Sequence, residues 1–433
     1  MNNKNILIIT PFFAPETHAA VFRAYKLVKY LKRFGWNPIV LTVDTNYVYK
    51  EDPTLLDDIN DVSIYRARYI EPTLRGLKMA LGGKDRTYKN LSPSACVGAQ
   101  GLQASSKPSW KARAYSYLLN RWIQVPDRFV TWQRSAVKMG KRLIKQHDIS
   151  VIYTTCLPFS TNVIGMRLKQ ATGVKWVADF RDPITYAKRM YSDYLPVFMK
   201  QKRIEQLTFE HADAIVGLSE SYLYIFNDLY QGKYDHKCHF IPTGADDDYL
   251  PEETIEKGDY LIFVGEYLKE YGNHFLGLLK QAIAQGHHNL TLKIVGSTAI
   301  NRPIVEPIVK ELGIEKNVEF ADHMPQRNLY RLIKGAKAAV LIPGKKAHWW
   351  NNFAKMVDYI ALQVPVIADV PHVSEARAQL TKAGLGIFIT GTTSLQNSLN
   401  DLNAPSLRPN REFCNRYLAS SQVKSFIDIF NSL

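Results

Sequence analysis

The chain has 433 residues, room for two or three domains at about 100–200 residues each. Hydrophobic residues make up 46% and charged residues 22%, which excludes a disordered or fibrous chain. The net charge is +15, all of it within residues 1–240, and residues 66–145 alone carry 17 basic against 3 acidic side chains. Such a stretch suits nucleic acid or an anionic membrane surface, or is a solvated basic face with no partner.

The four cysteines, Cys96, Cys156, Cys238 and Cys414, are far apart and form no CxxC. That argues against a disulfide scaffold, a zinc ribbon or a thioredoxin-type site. No apolar run reaches the ~18 residues of a membrane-spanning helix. The first apolar run, residues 5–10, is too short for a signal-peptide core, so a cytoplasmic protein is expected.

The chain opens as strand, loop, helix, strand. Residues 5–10 form a short apolar run, and residues 11–18 a loop fixed by Pro11 and Pro15. Val21, Ala24, Tyr25, Val28, Leu31 and Phe34 recur at helical spacing, with Gly35 as the stop. Residues 38–43 are the next strand, which completes a βαβ opening and implies a parallel sheet. Residues 70–125 break this rhythm and read as an insertion, partly helical over 111–122. Alternation then resumes, with strands expected at 151–154, 175–179 and 214–217 and helices at 129–146, 161–171, 200–211 and 219–230.

Residues 243–259 are acidic and strand-poor and read as a linker. A second α/β series follows, with strands expected at 260–264, 290–295, 318–320, 338–342, 365–368 and 386–389. The expected architecture is two doubly wound, Rossmann-like α/β domains: an amino-terminal one over 1–242 and a second over 243–405. A helical segment, 406–433, is expected to cross back to the first domain. Ligands of such sheets bind beyond the carboxyl ends of the strands, so the cleft between two such domains is the natural site.

No P-loop, dinucleotide fingerprint, nucleophile elbow or HExxH motif is present. Asp246-Asp247-Asp248 holds a DxD pattern but sits in the linker, where a solvated turn is the expectation rather than a metal site. His287-His288 reads as a surface turn. Four other places carry more. The 11–18 loop follows the first strand. Val177-Ala-Asp-Phe-Arg-Asp-Pro183 ends a strand with a cluster that either offers hydrogen bonds to a ligand or closes an internal salt bridge. Gly265 follows the first strand of the second domain, where a missing Cβ lets a ligand approach the backbone. Lys355 falls in the first turn of a helix after Gly344-Lys-Lys346, where an anion would meet exposed amides, with Asp358 one turn on. A nucleoside diphosphate would use both, unless they are an ordinary surface lysine and a helix-start acid.

These places, in this order, resemble the retaining glycosyltransferases of family four, which have the two-domain GT-B fold. Ile6-Leu-Ile-Ile-Thr-Pro-Phe-Phe-Ala-Pro-Glu16, with Arg23-Ala-Tyr-Lys-Leu-Val-Lys-Tyr-Leu31 and Val40-Leu-Thr42, is similar to their amino-terminal signature. Trp176-Val-Ala-Asp-Phe-Arg-Asp-Pro183 and Val125-Pro-Asp127 resemble segments of the O-antigen and capsule branches. Ala212-Asp-Ala-Ile-Val-Gly-Leu-Ser-Glu220 and Ile241-Pro-Thr-Gly-Ala-Asp246 are similar to the crossing between domains. Lys355-Met-Val-Asp-Tyr-Ile-Ala-Leu-Gln-Val-Pro-Val-Ile367 is similar to the donor-binding helix. The resemblance covers most of the chain outside residues 70–125.

The sequence also departs from that pattern. Thr17-His18 stand where a glycine pair is usual, Glu266 where arginine is usual and Tyr271 where lysine is usual. Trp350 replaces the first acid of the E-x7-E pair, Asp358 is a shortened second one, and Thr243 replaces an asparagine.

The resemblance implies a sugar transferase of surface polysaccharide biosynthesis, with retention of anomeric configuration and no metal or other cofactor. The donor, a UDP- or GDP-type nucleotide sugar, would bind the second domain through Gly265, Glu266, Lys269, His323, Met324, Lys355 and Asp358. Lys355, with Lys269 second, would hold the diphosphate, Asp358 the ribose, and backbone near His323-Met324 the base. The acceptor, a glycan expected on a lipid, would bind the first domain through Glu16, His18, Arg23, Arg181 and Asp182. His18 and Asp179 complete the catalytic candidates. Two other readings remain: a nucleotide-sugar 2-epimerase of the same fold, and a non-catalytic membrane or nucleic-acid binder. Aromatic and basic residues interleaved over 110–123 favour the inner face of an anionic membrane, with peripheral attachment. Nucleic acid is not expected, because no helix-turn-helix, zinc or stacking-sheet module accompanies the charge.

Overall fold

Short, continuously apolar strands that alternate with helices can be covered on both faces only as parallel sheets. The computed structural model contains two such sheets. It describes residues 4–17, 19–44, 51–81, 109–187, 195–342, 349–389, 395–402, 404 and 407–433. His18 and the 344–346 segment lie outside these residues.

The elements of the first half, in chain order, are β1 (Asn5–Ile9), α1 (Phe22–Arg33), β2 (Asn37–Val43), β3 (Ser63–Ala67), α2 (Leu74–Leu81), α3 (Trp110–Leu118), α4 (Trp132–Gln146), β4 (Val151–Cys156), α5 (Phe159–Thr172), β5 (Lys175–Phe180), α6 (Leu195–His211), β6 (Ala214–Gly217), α7 (Glu220–Tyr230) and β7 (Cys238–Phe240). The second half holds β8 (Tyr260–Val264), α8 (His274–Ala284), β9 (Thr291–Val295), α9 (Thr298–Leu312), β10 (Val318–Ala321), α10 (Gln326–Gly335), β11 (Ala338–Leu341), α11 (Ala354–Ala361), β12 (Val366–Ala368), α12 (Glu375–Lys382), β13 (Gly386–Phe388), α13 (Leu395–Asp401), α14 (Arg411–Asn415) and α15 (Ala419–Ser432).

The first sheet has the order β3-β2-β1-β4-β5-β6-β7 and the second the order β10-β9-β8-β11-β12-β13. Every pairing is parallel. In each sheet the strand order reverses at one point, between β1 and β4 in the first and between β8 and β11 in the second. Loops that leave the carboxyl ends there go to opposite faces, and the crevice they leave is where doubly wound sheets bind ligands.

The chain divides into two compact units. One comprises Met1–Leu218, Tyr222–Ile241 and Ser425–Leu433, the other Ser219–Ser221 and Pro242–Lys424. The carboxyl-terminal segment is therefore shared: residues up to Lys424 cluster with the second unit, and the last nine residues belong to the first. There Phe430 packs on Trp36, and Phe426 on Tyr153.

The acidic linker is not a solvated turn. Asp246 is buried and its carboxylate caps the amide of Asp248, while Asp247 accepts from the amide and hydroxyl of Ser420 at the start of α15. Their oxygens serve as backbone caps. Among the described residues no group of three or more His, Cys, Asp or Glu could hold a metal ion, and no helix is long and apolar enough to cross a membrane.

Candidate functional site

In the second unit, β8 delivers Phe263 and Val264 to the carboxyl edge, and the chain turns sharply at Gly265. Its φ of +111° lies in a region that only glycine adopts without strain. The turn is pinned from three sides. The Gly265 amide donates to the Val295 carbonyl at 2.7 Å, and Asn301 Nδ2 donates to the Gly265 carbonyl at 3.1 Å. Asn301 Oδ1 in turn accepts from the Tyr267 amide at 2.7 Å. Gly296, just beyond β9, completes the arrangement: a Cβ there would stand 2.5 Å from the Gly265 carbonyl oxygen.

Lys355 enters this turn from the first turn of α11. Its Nζ lies 3.9 Å from the Phe263 ring centroid and 6.0 Å from that of Tyr271, and 3.7 Å from where a Gly265 side chain would begin. Among the described residues it has no hydrogen-bond or ion-pair partner. Loss of water around the ammonium pushes its pKa down to about 8. A cation over a ring gains the quadrupole attraction of the π face, which is weaker than a paired carboxylate. Burial of Lys355 is thus left incompletely compensated among the described residues, and an anionic oxygen would compensate it.

Asp358, one turn along α11, is half-buried and accepts from the Tyr330 hydroxyl at 2.9 Å. Gln326 Nε2 donates to the same hydroxyl at 2.8 Å, so the three form a chain that orients the carboxylate. Burial, followed by the Asp358 charge, pushes the Tyr330 phenol well up, which keeps it a neutral donor. His323 is exposed on the loop after β10, and neighbouring Met324 packs against the unit's core. Glu266 and Lys269 are exposed on the loop after β8. The structure thus brings Gly265 and Lys355 together at the switch point and leaves Glu266 and Lys269 at its solvent side. Trp350, at the position of the missing first acid, is buried, and its carbonyl accepts from Ser219 Oγ at 2.8 Å.

In the first unit, one acceptor-side candidate, Arg23, and one catalytic candidate, Asp179, lie away from solvent. Arg23 and Asp179 face each other inside the unit as a bidentate ion pair. Arg23 Nε and Nη2 donate to the two Asp179 oxygens at 2.7 and 2.8 Å, and the Tyr153 hydroxyl donates to Asp179 at 2.6 Å. Arg23 Nη2 also reaches the Ile241 carbonyl at 3.0 Å. Side-chain exposure is 3% for Arg23 and 0% for Asp179. Burial works against the guanidinium charge, but Asp179 more than offsets it and the Arg23 pKa is raised. Neither group faces solvent: the pair ties α1 to β5 and is an internal salt bridge.

Arg181 and Asp182, two and three residues on, are half-buried at the carboxyl edge. The Arg181 guanidinium donates to the Leu157 carbonyl, its amide to the Cys156 carbonyl at 2.9 Å, and its Nε is enclosed without a partner among the described residues. Arg181 therefore braces the loop between β4 and α5. Glu16 sits half-buried in the loop after β1, near Arg66, whose guanidinium donates to the Ala14 carbonyl at 2.9 Å.

Three positioning residues are not among the site residues expected from the sequence, although Asp127 lies in a segment that carries part of the resemblance. Asp127 accepts from the Ser160 amide and hydroxyl, each at 2.8 Å, and from the Phe129 amide at 2.8 Å, so it holds the start of α5; burial raises its pKa. Phe263 and Asn301 are the others. Nothing in their spacing marks a strand phenylalanine as the floor beneath a lysine, or a helix asparagine as the pin of a distant turn.

Comparison of the sequence with protein-family models and with curated proteins finds no match. Solved structures do match over the whole length. An Anabaena protein, HepE, in complex with UDP has a TM-score of 0.61 at 12% identity, over 99% of this chain and 100% of that one. Sucrose-phosphate synthase from Thermosynechococcus elongatus gives 0.57 at 14%, over 99% and 97%. WaaG, a glycosyltransferase involved in lipopolysaccharide biosynthesis, gives 0.55 at 14%, over 99% and 100%. Identities this low establish the fold: two doubly wound α/β domains of the GT-B type.

Proposed function

We propose that this protein is a glycosyltransferase that moves a sugar from a nucleoside-diphosphate sugar to a glycan acceptor carried on a lipid, in the synthesis of a surface polysaccharide. The observation that carries this reading is Lys355: a partly buried ammonium with no anionic partner among the described residues, at the switch point of the second sheet. Two structural neighbours support the choice of substrates, one solved with UDP and one involved in lipopolysaccharide biosynthesis.

In this reading Lys355 and the first-turn amides of α11 hold the diphosphate and stabilise the charge that grows on it as the glycosidic bond breaks. Lys269 reaches the same group from the solvent side. Asp358, oriented by Tyr330, accepts from the ribose hydroxyls, and backbone at His323 and Met324 meets the base. Gly265 lets the diphosphate lie against the turn. On the acceptor side, Glu16, His18, Arg181 and Asp182 present hydrogen-bonding groups at the carboxyl edge of the first sheet. Transfer retains anomeric configuration and uses neither a metal nor another cofactor. A lipid-carried acceptor would place the enzyme at the inner face of the cell membrane as a peripheral protein.

A thermal-shift panel of nucleosides, nucleoside diphosphates and nucleotide sugars tests this reading. A true donor at 100 times its Kd adds about 2.7 kcal/mol of stability. The same donor should then give transfer in excess chelator. Activity abolished by chelator and restored by Mg²⁺ or Mn²⁺ would remove the metal-free mechanism. Turnover of the nucleotide sugar without any acceptor would mark an epimerase, and a panel with no response would remove the transferase reading.

A further inference from the structure

We propose that the helix pair α2–α3 docks this protein on an anionic lipid bilayer. Leu74, Leu77 and Leu81 recur at helical spacing on α2 and are 63%, 51% and 80% exposed. On α3, Trp110 is 69% exposed, and Tyr117 and Leu118 are exposed as well. The single turn that follows, Leu119–Ile123, adds exposed Trp122 and Ile123. The Leu74 amide donates to the Tyr115 hydroxyl at 2.7 Å, which holds the two helices together. Folded monomers seldom present so many large apolar side chains on neighbouring elements unless something covers them.

Charge on the same elements selects the cover. Lys111 and Arg113 are exposed, the Lys111 ammonium lies 5.8 Å from the Trp110 ring, and the Arg121 guanidinium 4.1 Å from the Tyr117 ring. Indoles and leucines flanked by cations match the boundary between acyl chains and anionic headgroups. A second copy would bring a basic surface against a basic surface. Nucleic acid would satisfy the cations but leave the leucines in water.

The patch is anchored at the ligand-binding edge of the first sheet. Tyr69 donates to the Arg128 carbonyl at 3.1 Å, and the Phe129 ring packs on Tyr69 and on Phe12, which follows β1. Asp127 fixes the other root to the start of α5. A bilayer met by α2 and α3 therefore adjoins the edge where the acceptor is proposed to bind. That last step rests on the transferase reading, whereas the docking surface does not.

Co-sedimentation of the full-length protein with vesicles, without nucleotide, tests the docking. Phosphatidylcholine vesicles are compared with vesicles containing phosphatidylglycerol, across a salt series. Binding should need the anionic lipid and weaken with salt. Lys111→Ala with Arg113→Ala should weaken it about 30-fold, at about 1 kcal/mol per cation and 1.4 kcal/mol per tenfold. Trp110→Ser with Trp122→Ser should weaken it by about tenfold or more. Both pairs are exposed, so melting temperatures should stay at the parent value. Equal binding to neutral vesicles, unchanged binding of the tryptophan variant, or retention of duplex nucleic acid in place of vesicles would overturn the proposal. Nucleotide binding is read separately, so either reading can fail without the other.

Discussion

A lysine held against aromatic rings loses hydration that the rings only partly return. The sign of its titration follows. Below pH 8 Lys355 is charged in both folded and unfolded chains, and the folded state carries the cost of its burial. Between about 8 and the ordinary lysine value of about 10.4, the unfolded chain holds a proton that the folded chain has released, so this residue's contribution to stability rises with pH. Replacing it with methionine, which fills the same volume without charge, should leave the melting temperature at pH 7 unchanged or higher. A clear fall in melting temperature would show Lys355 to be a structural residue. The buried pair behaves in the opposite way. Asp179→Asn or Arg23→Met strands one partner in a dry environment and should cost about 3–5 kcal/mol in a denaturant titration. A loss below about 1 kcal/mol, the scale of an exposed pair, would contradict the burial of Arg23 and Asp179.

At the scale of elements, the turn after β8 is fixed by the close approach of two glycines. Gly296→Ala puts a methyl group 2.5 Å from the Gly265 carbonyl, against backbone that cannot swing away as a side chain would. The variant should lose about 1–3 kcal/mol, the scale of overpacking, and nucleotide affinity should fall with it as the turn is displaced from Lys355. Full affinity in the variant would separate this turn from the site. Elements of this kind were legible in the sequence to different degrees. Strands such as β4, β6 and β8 stand out because parallel strands buried on both faces read as unbroken apolar runs. β3, Ser-Ile-Tyr-Arg-Ala, and β7, Cys-His-Phe, escape the reading: both are short edge strands with polar residues inside them. α2 escapes it for a related reason. Its leucines face outward, so no pattern of core contacts marks them.

Over the whole molecule, the alternation of strands and helices was enough to read two doubly wound sheets, because topology follows from which faces must be covered. Single side chains were harder. Asp179 and Arg23 stand 156 positions apart, so the sequence left open whether the acid at the end of β5 faced a ligand or an internal partner. Asp246–Asp248 read as solvated because acidic residues usually are, whereas here two of them cap backbone amides that no local pattern announces. Lys355 stands out in the sequence as a candidate because a helix start after a strand suits an anion on general grounds. Its lack of a partner among the described residues is visible only in three dimensions, and the functional reading stands on it.

The most direct test is calorimetric titration of a nucleoside diphosphate into the parent protein and Lys355→Met at pH 7 and pH 9. A charge-assisted hydrogen bond contributes about 1.5–3 kcal/mol, so the variant should bind roughly 10- to 150-fold more weakly at pH 7. Because the free ammonium titrates at about 8, parent affinity should fall by up to about tenfold at pH 9, and the variant should lose that dependence. Affinities within twofold of each other, with the same pH profile, would remove Lys355 from the site and with it the nucleotide-sugar reading.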